Sequence, residues 1–365
     1  MINKLHIKNY RCFRDFSLDE CQSITLIGGE NCVGKTALLE AIWLCFGSHN
    51  PHLTINVERR RNIVSLTTET LLENLFADFD ISRTIEITSF RDEDTQETLR
   101  IQQVPAEKEE VEPSGGVGDQ DSNGFETEVR HDDTTESNTM KLQMTTYDAA
   151  GKERFSGHIS PTPKGKLSVE QGKPYRHPTA IWVTPDANPE SLTDRYTKIV
   201  DRGYKDKLVD TLRIIDERVT DVQVLKRAET HYIHVQAKGF DRWVPIGLMG
   251  SGLAKVCTMA VNMPKAEDGG ALLIDEFENG LHYSIQADVW RAIHDLACDF
   301  DVQIFATTHS YECIMAAVEG LSGRAQNRFC YYRLDPGPAG KGPVAKHFSF
   351  DDLQTASEMN MELRG

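Results

Sequence analysis

Gly29-Glu30-Asn31-Cys32-Val33-Gly34-Lys35-Thr36 sets two glycines, a lysine and a threonine at the spacing G-x-x-x-x-G-K-[ST]. Backbone N–H groups of such a loop can cradle phosphate oxygens at a helix N-terminus. Lys35 can then neutralise the outer phosphates of a nucleotide, and Thr36 can hold Mg2+. The flanks agree with this chemistry. Ser23-Ile24-Thr25-Leu26-Ile27 reads as a strand, and residues 36–46 read as an almost wholly apolar helix that Gly47 stops.

Three later segments are directed at the same kind of ligand. Ala271-Leu272-Leu273-Ile274 is a continuous apolar run ending in Asp275-Glu276, the pattern of a parallel strand covered on both faces. A carboxylate at its end is costly without a cation. Asp275 can meet Mg2+ through water, and Glu276 can orient or deprotonate an attacking water. The plainer alternative is that the two acids cap the helix starting near Tyr283. Val302-Gln303-Ile304-Phe305-Ala306 is the next strand, and Thr307-Thr308-His309-Ser310 ends it. Ligands bind at the carboxyl ends of parallel strands, so His309 can donate to the γ-phosphate. Alternatively it is a structural histidine preceding the N-cap Ser310. Gly250-Ser251-Gly252 opens a helix carrying Leu253, Val256, Met259 and Ala260. Alone it is a turn signal. As a helix N-terminus with a free hydroxyl it is also an anion site, and it completes the first site if another subunit supplies it.

These pieces need a parallel α/β scaffold. Ile285, Val289, Ile293 and Leu296 form one face of a helix between the last two strands, giving a βαβ unit. Residues 329–334 and 346–350 read as two late strands before a short terminal helix. Upstream, residues 2–8 alternate like a strand. A β-rich stretch follows, with strands at 83–88, 98–101, 141–145 and 180–183. Residues 189–219 read as helical, with Leu208, Leu212, Ile215 and Val219 as an apolar stripe that packs on the core. That stripe spans too few heptads for a coiled-coil arm. The organisation expected is an N-terminal ATPase lobe over 1–100, an insert over 105–139, a β-rich and helical region over 141–246, and a C-terminal lobe over 247–365.

Net charge is −16, and much of it is local. Residues 107–136 hold 11 acidic residues against Lys108 and Arg130. Rich in Glu, Asp, Gly, Ser and Thr, the insert is expected to be a disordered spacer. Asp119-x-Asp121 within it is a poor metal pair for the same reason. The remainder is too mildly acidic for DNA binding through overall charge. No apolar run reaches the 18 residues of a membrane span, and the N-terminus lacks a signal-peptide core. Eight cysteines show no Cys-x-x-Cys pair. A reduced, cytoplasmic protein is expected.

Taken together the chain resembles the ATP-binding-cassette heads of the RecF and SMC class, and within it the overcoming-lysogenization-defect (OLD)-like ATPases. The resemblance is carried by Asn9-Tyr10-Arg11-Cys12-Phe13, the loop at 29–36 with Leu39-Glu40-Ala41, and Leu248-Met249-Gly250-Ser251-Gly252. Leu273-Ile274-Asp275-Glu276-Phe277-Glu278-Asn279-Gly280-Leu281-His282 and Phe305-Ala306-Thr307-Thr308-His309-Ser310 carry it furthest. It implies an α/β P-loop ATPase head with a β-rich subdomain and a short helical arm. It also implies ATP and Mg2+ as ligands, and a homodimer that sandwiches two nucleotides. Ser251 matches the signature serine that reaches the other subunit's γ-phosphate, His309 the switch histidine, and Glu276 the catalytic glutamate. Residues 279–282 match the D-loop at the seam, and Arg11 a basic residue near the nucleotide. The family often has Gly where Cys32 stands, so a side chain there can crowd the loop. Gln96, Gln102, Gln103 and Gln143 are candidates for the Q-loop glutamine, which stays unassigned.

Many OLD proteins carry a TOPRIM nuclease after the ATPase, and residues 310–365 are too few for one. The expected protein is therefore a nuclease-free ATPase subunit acting with a separately encoded effector, a nuclease or toxin, in phage defence. The alternative is a RecF-like DNA-binding ATPase. Arg59-Arg60-Arg61 is its best support, although such a run is commonly solvated surface. A lone triphosphatase or kinase would need an acceptor site that no motif supplies.

Overall fold

A computed structural model describes residues 1–61, 73–91, 95–105, 140–162, 167–173, 175, 177–184, 189–227, 230–338 and 340–359. Strands β1 (Lys4–Tyr10) and β2 (Phe13–Leu18) form an N-terminal hairpin. β3 (Ile24–Gly29) follows and is buried at every position. It lies inside a six-stranded sheet with β9 (Ala180–Trp182), β13 (Ala271–Ile274), β14 (Gln303–Thr307), β15 (Phe329–Asp335) and β16 (Val344–Ser349). The order is β16-β15-β3-β14-β13-β9. All neighbours run parallel except the edge strand β16. β13 and β14 are buried throughout, as strands covered on both faces must be.

Side-chain alternation sends one sheet into two cores. Ile24, Leu26, Leu272 and Ile274 face one cluster with Val289, Trp290 and Ile293. Ile27, Ala271, Leu273 and Phe305 face the other, with Leu38, Leu39 and Ile42. The second face carries helix α1 (Lys35–Phe46), whose buried residues surround it, as its nearly continuous apolar sequence requires. Helix α2 (His52–Arg60) packs beside it.

Above α1 sits a seven-stranded antiparallel sheet, ordered β2-β1-β4-β5-β6-β7-β8, with β4 (Ile85–Phe90), β5 (Gln96–Pro105), β6 (Met140–Asp148), β7 (Glu153–Pro161) and β8 (Leu167–Glu170). In β4 residues alternate buried and half-buried, the period-2 pattern of a one-sided sheet. The strand expected at 180–183 does not belong here. It is β9, in register with β13 through Ala180↔Ala271 and Ile181↔Leu272. Its unbroken apolar character, against the alternation of β4, marks a two-sided strand.

Helices α3 (Pro189–Asp201) and α4 (Lys205–Arg213) pack on the first core. Leu208, Leu212 and Val219 are wholly buried there, but they do not share one helix. Asp216 accepts from Arg218 N at 3.0 Å, and Val219 N donates to Asp216 O, turning the chain. Val219 then opens β10 (Val219–Arg227), paired with β11 (Thr230–Ala237) and β12 (Val244–Pro245). After a bulge between Val219 and Asp221, its Val222-Gln223-Val224 alternation has the strand period. Helices α5 (Ser251–Asn262), α6 (Tyr283–Phe300), α7 (Tyr311–Leu321) and α8 (Phe350–Glu358) complete the chain. The expected acidic spacer, 105–139, lies outside the described residues apart from Pro105. Among the described residues no helix is long and apolar enough to cross a membrane.

Candidate functional site

β3 delivers the phosphate loop at its carboxyl end. Gly29 has φ +127° and Gly34 φ +105°, values that favour glycine. A Cβ on Gly29 would overlap the Leu334 carbonyl, and one on Gly34 would stand 2.6 Å from Cys12 Sγ. No side chain caps the N-terminus of α1, so its first amides face the loop's concavity, the geometry of an anion site. Lys35 Nζ donates to the carbonyls of Gly29 (2.7 Å) and Glu30 (2.8 Å). Burial pulls its pKa below the ordinary value, against the pull of Asp275, Glu278 and Glu276. Cys32 is also left-handed, with φ +63°. Its side chain is exposed, so the cost lies in the backbone rather than in crowding.

Strand order brings the chemistry together. β14 lies between β3 and β13, so three carboxyl ends sit side by side. Asp275 Oδ2 accepts from Thr36 Oγ1 at 3.1 Å, and Oδ1 accepts from Thr307 Oγ1 at 2.5 Å. Thr307 also accepts from Glu276 N at 2.8 Å, and Phe277 N donates to the Thr307 carbonyl. Phe277 stacks on Trp290 with centroids 3.7 Å apart. The turn after β13 is thereby fixed from both sides, with Glu276 at φ +50° and exposed. Its carboxylate accepts from the Asn279 amide. The two acids do not cap α6, because His282 is the N-cap and its ring accepts from Ser284 N. A hydroxyl and a carboxylate oxygen are hard ligands of the kind Mg2+ takes while keeping waters and phosphate oxygens. Among the described residues no three His, Cys, Asp or Glu side chains form a metal cage.

His309 follows β14, half exposed. Its Nδ1 lies 3.0 Å from Glu278 Oε1, and its backbone N donates to the same oxygen at 2.9 Å. That contact orients the ring. Glu278 Oε2 is buried with no hydrogen-bond partner. Ser310 caps α7 by accepting from Cys313 N at 3.1 Å, so the capping role belongs to the serine and leaves the histidine ring available.

Ser251 starts α5 after Gly250 (φ +112°), with no side-chain cap, and is exposed. Its neighbour is the turn 275–282 of its own chain. A Cβ on Gly280 would lie 3.0 Å from Ser251 Oγ, and one on Gly252 would overlap the Gly280 carbonyl. Leu248 and Tyr283, on either side of this contact in sequence, are among the most exposed large apolar residues described, at 78% and 68%.

Arg11 is engaged with carboxylates. Its guanidinium lies 2.7 Å from both Glu40 and Glu58 and is 11% exposed. Two carboxylates buried in α1 and α2 require a cation, and Arg11 supplies it, with Arg61 sharing Glu40. Nor is the arginine triplet simply solvated. Arg61 pairs with Glu40 at 2.8 Å, and Arg60 lies 4.1 Å over the Trp182 ring, where Asp275 supports its charge against burial. Gln96, Gln102, Gln103 and Gln143 all sit in β5 and β6, and Gln102 donates to Gln143 at 3.2 Å. They serve the antiparallel sheet. Thr307, Glu278 and Lys255 were not singled out from sequence. Thr307 alone had a visible signal, a hydroxyl at the end of a buried strand.

Residues 24–315 match a protein family described as "AAA domain, putative AbiEii toxin, Type IV TA system". The chain belongs to this family. It is accordingly an AAA-type P-loop ATPase, with a mixed α/β fold. A relative described as "ATP/GTP phosphatase" from Helicobacter pylori is 24% identical over 337 residues, covering 86% of each chain. A 48-residue stretch, 13% of this AAA-family chain, is 40% identical to structural maintenance of chromosomes protein 6 of Dictyostelium discoideum, of which it covers 4%. Two solved structures are similar across nearly the whole chain. An SMC head bound to the C-terminal winged-helix domain of ScpA has 10% identity and a TM-score of 0.48, covering 97% of this chain and 99% of that one. An SMC head with an extended coiled coil bound to the C-terminal domain of ScpA derived from Pyrococcus furiosus has 9% identity and a TM-score of 0.49, covering 98% and 99%.

Proposed function

We propose that this ATPase works as a pair of copies closed over two ATP molecules, and that nucleotide state governs a separately encoded effector. The bond between Thr36 and Asp275, 3.1 Å long, carries the catalytic reading. It joins the phosphate loop to the acidic strand end in one site. Backbone amides of residues 29–36 and Lys35 hold the phosphates, while Thr36 and Asp275 hold Mg2+. Bound there, Mg2+ would supply charge neutralisation at the phosphate oxygens. Glu276 takes a proton from water, and His309, oriented by Glu278, donates from Nε2 to the γ-phosphate. Among the described residues, the neighbour of Ser251 is Gly280. Gly250, Ser251 and Gly252 therefore serve the nucleotide of the other copy, and Leu248 and Tyr283 become buried when the copies close.

The effector reading rests on the family, whose description names a toxin of a type IV toxin–antitoxin system. A nuclease or toxin partner in phage defence fits that description. The DNA-clamp alternative is favoured less, because Arg60 and Arg61, though exposed, already contact Trp182 and Glu40.

Glu276→Gln tests the two-copy site. It keeps every phosphate and Mg2+ contact but removes the base, so ATP should bind and a dimer or larger assembly should accumulate by light scattering. A variant that binds ATP and stays monomeric contradicts the proposal.

A further inference from the structure

Lys255 lies four residues into α5 from Ser251 and is 6% exposed. Its ammonium donates to Glu276 O at 2.6 Å, Phe277 O at 3.3 Å and Asn279 O at 3.3 Å. These three carbonyls belong to the turn that presents the Glu276 carboxylate. A buried ammonium costs free energy that an apolar side chain of similar length would avoid. Burial pulls the Lys255 pKa below its ordinary value, and Glu278, Glu276 and Asp275 oppose that pull. Packing alone therefore gives no reason for a lysine at this position. A second contact joins the same two segments, since Gly252 approaches the Gly280 carbonyl so closely that a Cβ would overlap it. Gly280 itself is left-handed, with φ +79°.

We propose that Lys255 is a positioning residue that locks the turn bearing Glu276 to the helix bearing Ser251, so that the two move as one body. This rests on the reading of Ser251 as the serine that meets the other copy's phosphate. Ser251 then reports on one nucleotide while Glu276 of the same chain acts on the other. Lys255 is the link by which closure at one site sets the carboxylate at its neighbour. A lysine suits this role because three carbonyls of one turn converge on a single point charge with three donors.

The test is Lys255→Met in the full chain. ATP affinity should stay within about twofold, while kcat falls at least about tenfold with KM little changed, the pattern of a lost transition-state interaction. Amide exchange at residues 276–281 should rise in the nucleotide-free protein. Lys255→Gln keeps an amide donor and should lose less, which also covers the case of a poorly folding Met variant. Combining Ser251→Ala with Lys255→Met should cost no more than the worse single change, because both break one linkage. Unchanged kcat and exchange overturn the proposal. So does a kcat loss matched by an equal loss of ATP affinity, or losses that multiply in the double variant. If Ser251→Ala hydrolyses ATP normally while Lys255→Met shows the kcat loss and faster exchange, the two-copy reading fails and the lock on Glu276 stands.

Discussion

At Cys32 the chain holds an L-residue in left-handed backbone, at a cost of about 1–2 kcal/mol that glycine escapes. A β-branched side chain tolerates this conformation least. Cys32→Val should therefore lower ATP affinity several-fold and reduce stability by about 1 kcal/mol, whereas Cys32→Gly should keep affinity and match or exceed wild-type stability. Calorimetric titration with ATP and thermal melts check both. A Val variant that binds as well as wild type would show that the loop does not need this conformation. The loop residues, Asp275, Glu276 and His309 were legible because short fixed spacings encode them. Lys255 and Glu278 were not. One binds three backbone carbonyls about 20 residues away, and the other a histidine 31 residues on, so no local pattern marks either.

Between elements, the decisive contact is the one that Arg11 makes. Its position in Asn9-Tyr10-Arg11-Cys12-Phe13 suggested a nucleotide contact, but the side chain bridges the turn after β1 to Glu40 of α1 and Glu58 of α2. Removing one member of a buried ion cluster leaves charge uncompensated and costs about 3–5 kcal/mol. Arg11→Met should thus melt well below wild type, with the ATP KM of the surviving folded protein little changed. A raised KM at normal stability would restore the nucleotide role. Most strands and helices were readable from apolar run length and period. The sheet to which β9 belongs is not legible, because a three-residue apolar strand carries no sign of its partner. Val219 was counted into a helix because its spacing from Ile215 fits both periods until the alternation beyond it is weighed. The acidic stretch between β5 and β6 lies outside the described residues, so its role as a spacer stands as a compositional expectation.

For the whole molecule, the proposed two-copy site makes nucleotide chemistry depend on assembly. In the proposed pair, one copy contributes Lys35, Thr36, Asp275 and Glu276 to a site, and the other contributes Ser251. An effector that distinguishes the closed pair from the separate copies would then read nucleotide state through the shape of the pair. Complementation between two damaged copies tests this most directly. Lys35→Ala and Ser251→Ala should each hydrolyse ATP poorly alone. Mixed in equal amounts, they form heterodimers in which one of the two sites keeps both an intact lysine and an intact serine. With random pairing, activity should rise above that of the separate proteins to at most roughly a quarter of wild type, the shortfall measuring how far Glu276 depends on the Ser251 of its own chain. A mixture no more active than the two proteins measured separately, or full activity from Ser251→Ala alone, would contradict a site shared between copies.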